Sequence, residues 1–220
     1  MANSTDTLRL IENLEAEYGK DTADKLVSYI DMVLERNEHI NLTAVRDRDE
    51  AMQKHLADSL SITDLPDYQA AQSVIDVGTG AGFPGAVLAI ADPDKKFILL
   101  DSTLKRLRVI DEFAETLGIT NIQTVHARAE EISGKPDFNS HFDLCVSRAV
   151  ASLDKLVGWC LPFVRNGGCF IAYKGENYAE ELETAKKSLK KYKGHLERAA
   201  KIDTDASEIS GHVLLVIRKG

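Results

Sequence analysis

From Tyr68 onward the sequence alternates short apolar runs with amphipathic segments, and this alternation narrows the fold more than any other feature. The runs are SVIDVG (73–78), KFILLD (96–101), IQTVHA (122–127), FDLCVS (142–147) and GGCFIAY (167–173). Helical periodicity fills 84–91, 103–117, 152–161 and 177–191 between them, with Gly118 and Gly194 placed as helix stops. Strand then helix, repeated, requires right-handed crossovers and a parallel sheet covered on both faces. The end of the chain breaks the pattern. HLERAAKID (195–203) and HVLLVIRK (212–219) are strand-like with no helix between them, which predicts an antiparallel pair added at the sheet edge. The expected fold is α/β, with a mostly parallel seven-stranded sheet and an antiparallel C-terminal strand pair.

Residues 1–66 read differently. Leu8, Ile11 and Leu14, then Leu26, Ile30, Val33 and Leu34, recur at helical intervals, with Gly19 ending one helix and Asp21 and Thr22 starting the next. A third helix is predicted from about 49 to 62, stopping before Pro66. The sequence therefore divides into an N-terminal helical extension (1–66) and a larger domain (67–220).

The 220 residues suffice for one core without disulfides or metals. No apolar run approaches the ~20 residues of a membrane span, and the N-terminus lacks the basic start and apolar stretch of a secretory signal. Cys145, Cys160 and Cys169 form no C-x-x-C pair and read as small core residues of a protein kept in a reducing, cytoplasmic compartment. No metal-ligand spacing stands out. A net charge of −8 argues against indiscriminate nucleic-acid binding through a wholly basic surface, though not against a local basic patch.

The run VIDVGTGAGFPG (74–85) sets a strand directly before a loop rich in glycine. Glycines let backbone approach a ligand, and the next helix, with Pro84 in its first turn, offers its N-terminal amides. Asp101 closes the second strand, where a carboxylate can accept from both hydroxyls of a ribose. Gly80, Gly82 and Gly85 satisfy the dinucleotide fingerprint G-x-G-x-x-G. Gly78, Gly80 and Gly82, preceded by Asp76 and with Thr79 between the first two glycines, satisfy D-x-G-x-G-x-G, the first motif of class I methyltransferases, which have a Rossmann-like fold. The dinucleotide pattern needs its first glycine at the strand end. Measured from Gly78 it fails, because position 83 is phenylalanine. An aspartate there also suits an amino group, such as that of a methionine moiety, better than a phosphate. The balance favours S-adenosyl-L-methionine as cofactor.

Absences narrow the acceptor. Methyltransferases of exocyclic amino groups share an Asn/Asp-Pro-Pro-aromatic motif after the fourth strand, where this chain has SRAV (147–150). Carbon-5 methylation of pyrimidines needs a cysteine on a loop, and Cys145 and Cys160 fall in strand and helix patterns. A ring nitrogen such as guanine N7 is nucleophilic already, so in-line placement supplies most of the catalysis and no base is required.

Several segments carry a family likeness in order: NLTAVR (41–46), HLADSL (55–60), VIDVGTGAGFPG, LLDSTLKRLRVI (99–110), VHARAEE (125–131), FDLCVSRAVASL (142–153) and YKG (173–175). Together they resemble the bacterial 16S rRNA guanine-N7 methyltransferases, the glucose-inhibited division protein B family, over about residues 30–180. The resemblance implies methylation of a guanosine in the decoding region of small-subunit rRNA, without a covalent intermediate. It implies that Gly78 and Phe83 line the methionine end and ribose, that Asp101, Ser102 and Thr103 hold the ribose, and that Ala129 and Glu130 flank the adenine. Arg148 would lie at the mouth of the site, orienting cofactor or RNA. Asn41, Arg46 and His55 would shape the substrate entrance, with Lys174 facing a phosphate; Arg106 is a substrate-side candidate from its basic group alone. Each has a plainer alternative: Arg148 paired with a surface carboxylate, His55 a satisfied histidine, Lys174 solvated, Phe83 core filler.

An acidic chain that binds RNA needs local cations. Three groups offer them: Arg46, Arg48 and Lys54; Lys105, Arg106 and Arg108; and Lys186, Lys187, Lys190, Lys191 and Lys193, the last spaced like a solvated helix face. The expected partner is the small ribosomal subunit, met by a monomer. A small-molecule methyltransferase and a non-catalytic cofactor-binding assembly factor remain open on the residues alone.

Overall fold

The computed structural model describes residues 4–202 and 212–220. Residue 203, the expected end of one strand, lies outside them. Helices α1 (Ser4–Tyr18) and α2 (Lys20–Asn37) meet at Gly19, as the periodicity predicts. The expected third helix is present but interrupted: α3 (Arg48–Ala51), capped by the Asp47 carboxylate on the Glu50 N–H, widens into a π turn (Met52–Ala57) and tightens again as α4 (Asp58–Leu60). Such wide turns concentrate at functional sites. Pro66 opens a further short helix, α5 (Pro66–Ala70), in the first turn, where a missing N–H costs nothing.

Strand and helix then alternate as read: β1 (Ser73–Val77), α6 (Gly85–Ala91), β2 (Lys96–Asp101), α7 (Leu104–Leu117), β3 (Ile122–His126), the short α8 (Ala129–Ile132), and β4 (Phe142–Arg148). There follow α9 (Leu153–Cys160), β5 (Val164–Lys174), α10 (Tyr178–Lys191), β6 (Gly194–Lys201) and β7 (Val213–Lys219). One seven-stranded sheet results, in the order β3-β2-β1-β4-β5-β7-β6. The first five strands are parallel, and β7 inserts antiparallel between β5 and the edge strand β6. Strand order reverses between β1 and β4, so their carboxyl ends open the crevice where such sheets bind ligands.

Alternate strand residues feed two cores. Val74, Leu99, Leu144 and Ile171 point to one face, under α2, α6 and α7; Ile75, Leu100, Cys145 and Phe170 point to the other, under α9 and α10. The N-terminal helices share the first core through Leu26, Tyr29, Ile30 and Val33, all at most 1% exposed. Burial of Leu26, Ile30 and Val33 contributes about 1.5–3 kcal/mol each, enough to fix α2 against the glycine loop. The three cysteines are free and buried. No described helix is long and apolar enough to cross a membrane.

Candidate active site

The loop leaving β1 is clasped from three sides. The Gly78 and Thr79 amides donate to the Leu100 carbonyl (2.8 and 3.1 Å), tying the loop to the end of β2. Asp101 accepts the Gly80 N–H at Oδ2 (3.0 Å) and the Thr103 N–H at Oδ1 (2.8 Å), so one carboxylate sets two loops. From above, the Tyr29 hydroxyl of α2 donates to the Ala81 carbonyl (2.9 Å), while its ring meets Phe83 edge-on. Gly82 has φ +92°, and a methyl group there would run into that hydroxyl, so only glycine suits the position.

Beneath the loop lies Asp76, fully buried, accepting the Gly85 N–H (2.9 Å) at the start of α6. Burial pushes its carboxyl up to about 6, against the opposing pull of the Thr79 hydroxyl and the Gly85 amide beside it. Asp76 holds the loop to the helix; it does not reach the cavity.

Above the carboxyl ends of the strands opens a cavity of about 930 Å³. One wall is the glycine loop with Asp101, Ser102, Thr103, Ala129 and Glu130. The other comes from the N-terminal segment: Leu42 to Val45, Lys54, His55 and Asp58. Asn37, buried at the end of α2, fixes this second wall. Its Oδ1 accepts the Leu42 and Thr43 amides (2.8 and 3.1 Å), and its Nδ2 donates to the Thr43 carbonyl (3.0 Å).

Arg148 joins the walls. Val146 pairs with Asp76 in the sheet, and two residues on Arg148 ends β4 at the cavity that Gly78, after β1, also lines. Its Nη1 donates to Asp58 Oδ2 (2.7 Å) and to the Lys54 carbonyl (3.0 Å), and its guanidinium lies 5.5 Å from the Phe83 ring centre. His55 stacks on the same ring at 4.5 Å, with Nε2 2.7 Å from the Thr43 hydroxyl and Nδ1 3.5 Å from Arg148. Burial, then the Arg148 charge, pushes His55 down to about 4, so the ring is neutral at physiological pH. Asp58, 1% exposed at its side chain, accepts His212 Nδ1 on its other oxygen at 2.9 Å. Burial would raise the Asp58 carboxyl, but His212 and Arg148 outweigh it and hold it below its usual value. The bond to Asp58 in turn raises His212.

Of the residues singled out from sequence, Gly78, Thr79, Gly80, Phe83, Asp101, Ser102, Thr103, Ala129, Glu130, Arg148, His55, Arg106 and Lys174 all line the cavity. Asp76 and Gly82 support it from behind, and Asn41 and Arg46 are exposed outside it. Arg148 has a carboxylate partner, but a buried one. Lys174 is not solvated: its ammonium donates to the Ala151 carbonyl (2.8 Å) and Glu181 (2.6 Å), and Glu181 also accepts the Leu153 N–H, which fixes the loop after β4 and the start of α9 to α10. Of the first two basic groups, Lys54 and Arg106 reach the cavity, whereas Arg48 pairs with Asp31 on the surface. Sequence reasoning missed Asp58, His212, Tyr29 and Asn37. Asp58 had a signal, standing three residues after His55 on one helix face; Tyr29 and Asn37 read only as core and helix end. Among the described residues no cluster of His, Cys, Asp or Glu could hold a metal ion.

The sequence model of the family described as rRNA small subunit methyltransferase G matches residues 22–209. A protein named Ribosomal RNA small subunit methyltransferase G from Acetivibrio thermocellus is 45% identical over 194 residues, covering 88% of this chain and 79% of its own. Its namesake from Lachnoclostridium phytofermentans is 37% identical over 219 residues, covering 100% and 90%. The fold is shared with more distant solved structures. TYW2 of M. jannaschii in complex with AdoMet superposes with a TM-score of 0.56 at 15% identity, covering 78% of this chain and 81% of its own. A ribosomal protein L11 methylase from Lactobacillus delbrueckii subsp. bulgaricus gives 0.52 at 20% identity, covering 74% and 77%. With a glycine-loop cavity at the switch point of the sheet and a sequence match along most of its length, this chain belongs to the rRNA small subunit methyltransferase G family.

Proposed function

We propose that the chain methylates N7 of a guanosine in the decoding region of 16S rRNA, acting as a cytoplasmic monomer on the small ribosomal subunit with S-adenosyl-L-methionine as cofactor. The observation that carries this reading is the two-walled cavity, with a strand-end glycine loop on one side and a wall from the N-terminal segment on the other. In this reading residues 67–220 form the cofactor-binding domain and residues 1–66 an extension that completes the acceptor side.

The cofactor supplies a methyl group carried on a sulfonium. The residues fit it. Gly78 to Gly80 leave a backbone cradle, and a methyl on Gly78 would come within 2.6 Å of Val150. Asp101, held by two amides, keeps lone pairs for ribose hydroxyls at the end of β2. Ser102 and Thr103 stand beside it, and Ala129 with Glu130 frames the adenine. Phe83 floors the site between cofactor and acceptor. Guanine N7 would take the methyl on its lone pair as the carbon–sulfur bond breaks, the positive charge passing from sulfur to the base, so no proton leaves and no general base is needed. That matches a neutral His55 and an Asp58 whose two oxygens are engaged by Arg148 and His212. The chain contributes alignment, held by Arg148, His55 and Phe83. Asn41 and Arg46, outside the mouth, and Arg106 at its rim meet the RNA, while Lys174 holds the loop after β4.

The test supplies methyl-labelled cofactor with small and large ribosomal subunits separately. Label in the RNA of the small subunit alone supports the reading. Label in neither, with cofactor binding intact, contradicts it.

A further inference from the structure

Arg148 is a cation at the acceptor side whose donors are not all committed. Nη1 spends both hydrogens on Asp58 and the Lys54 carbonyl, and Nη2 turns one toward His55 at a long 3.5 Å. Among the described residues, Nε–H and the second Nη2–H make no hydrogen bond, although the side chain is only 11% exposed and lines the cavity. The neighbouring cations differ: the Lys174 ammonium is shared between Ala151 and Glu181, and Arg106 lies across the cavity beside Asp101. The Arg148 guanidinium is also held in one place. The Asp58 carboxylate binds it at 2.7 Å, the Phe83 ring lies at 5.5 Å, and pairing with Tyr173 of β5 fixes its backbone.

Guanine presents two adjacent acceptors on one edge, N7 and O6, whereas adenine presents N7 beside an amino donor. Elsewhere arginine reads guanine by binding both acceptors. Here N7 must keep its lone pair free for the methyl group, which leaves O6. Resting on the function proposed above, we infer that the uncommitted N–H groups of Arg148 read O6 of the target guanine, so that Arg148 sets the choice of guanine over adenine as well as the angle of N7. Asp58 has a matching part. Methylation leaves positive charge on the base, and a bare guanidinium nearby would oppose it; the buried carboxylate offsets that charge while leaving the donors in place. His212, on the far oxygen of Asp58, orients the carboxylate.

The experiment removes the acceptor atom and the donor in turn. Small-subunit particles are reconstituted with guanosine or with 2-aminopurine riboside, which keeps N7 and lacks O6, at the modified position. Initial rates are measured for the wild-type chain, Arg148→Met and Arg148→Lys, with cofactor affinity and unfolding recorded for each. Intrinsic differences in N7 reactivity cancel in the ratio between proteins. The wild-type preference for guanosine should exceed that of Arg148→Met by on the order of 10- to 100-fold, the worth of one charge-assisted hydrogen bond. Arg148→Lys, which keeps a donor without the fork, should fall between them. An equal preference in all three proteins overturns the assignment of Arg148. If Arg148→Met is inactive on both substrates, the lysine variant decides by the same ratio. Failure of the wild-type chain to methylate guanosine at all overturns the proposed function instead.

Discussion

Asp58 and Arg148 form a nearly buried ion pair, 2.7 Å apart, that ties the N-terminal helices to the end of β4. Neither side chain belongs to the glycine loop, yet their contact decides how the cavity is closed on the acceptor side. A buried pair of this kind adds little net stability but is costly to break, because the surviving charge keeps its desolvation penalty. Asp58→Ala should cost about 3 kcal/mol in a denaturant titration, the lower end of the usual range, since the cavity lets water reach Arg148. Methyl transfer should fall further than cofactor affinity does.

Tyr29 and Gly82 make a second prediction. Gly82→Ala places a methyl group against the Tyr29 hydroxyl at a backbone angle that disfavours side chains, so the loop must move. Cofactor affinity, measured by equilibrium binding, should drop at least about tenfold, the equivalent of ~1.4 kcal/mol. Tyr29→Phe removes only the bond to the Ala81 carbonyl and should cost about 1 kcal/mol of stability. Binding unchanged in Gly82→Ala would show that the loop tolerates the shift.

Asp101→Asn keeps shape but replaces one acceptor oxygen with a donor facing a backbone N–H. Gly80 and Thr103 cannot both remain satisfied. Cofactor binding should weaken on the order of 10- to 100-fold, with little change in the global unfolding midpoint.

The strand alternation, the seven-stranded order of events along the chain and the glycine loop were legible in the sequence because each depends on local period or on backbone space. Positions that line the cavity from the glycine loop and from the ends of β2 and β4 were legible for the same reason. What the sequence concealed is pairing across long separations. Asp58 and Arg148 lie ninety positions apart, and Tyr29 meets Ala81 over fifty-two, so neither contact leaves a periodic trace. Lys174 reads as a solvated cation after a strand; only the return of α10 with Glu181 gives it partners. The interruption of α3 by a π turn likewise has no sequence period of its own.

Acid should destabilise the chain through His55. The native ring resists protonation until about pH 4, while an unfolded histidine takes its proton near 6.5. Through this ring the unfolded state binds more protons in that window, which lowers stability by about 3 kcal/mol at most as pH drops from 6.5 to 4, while Asp76, raised to about 6, pulls the opposite way below pH 6. Asp58, held below its usual value, extends the loss below pH 4. Set against the wild-type chain, His55→Asn should lose less stability between pH 6.5 and 4, the difference being the His55 contribution. His212 runs the other way, its bond to Asp58 being lost as pH rises through its elevated value.

The most direct measurement is nucleoside analysis of 16S rRNA from small subunits lacking the modification, after incubation with the chain and labelled S-adenosylmethionine. Label is expected in 7-methylguanosine alone, at one position in the decoding region, with its loss in Asp101→Asn at low cofactor concentration. Label in any other nucleoside, or 7-methylguanosine scattered over many positions, would contradict the proposed function.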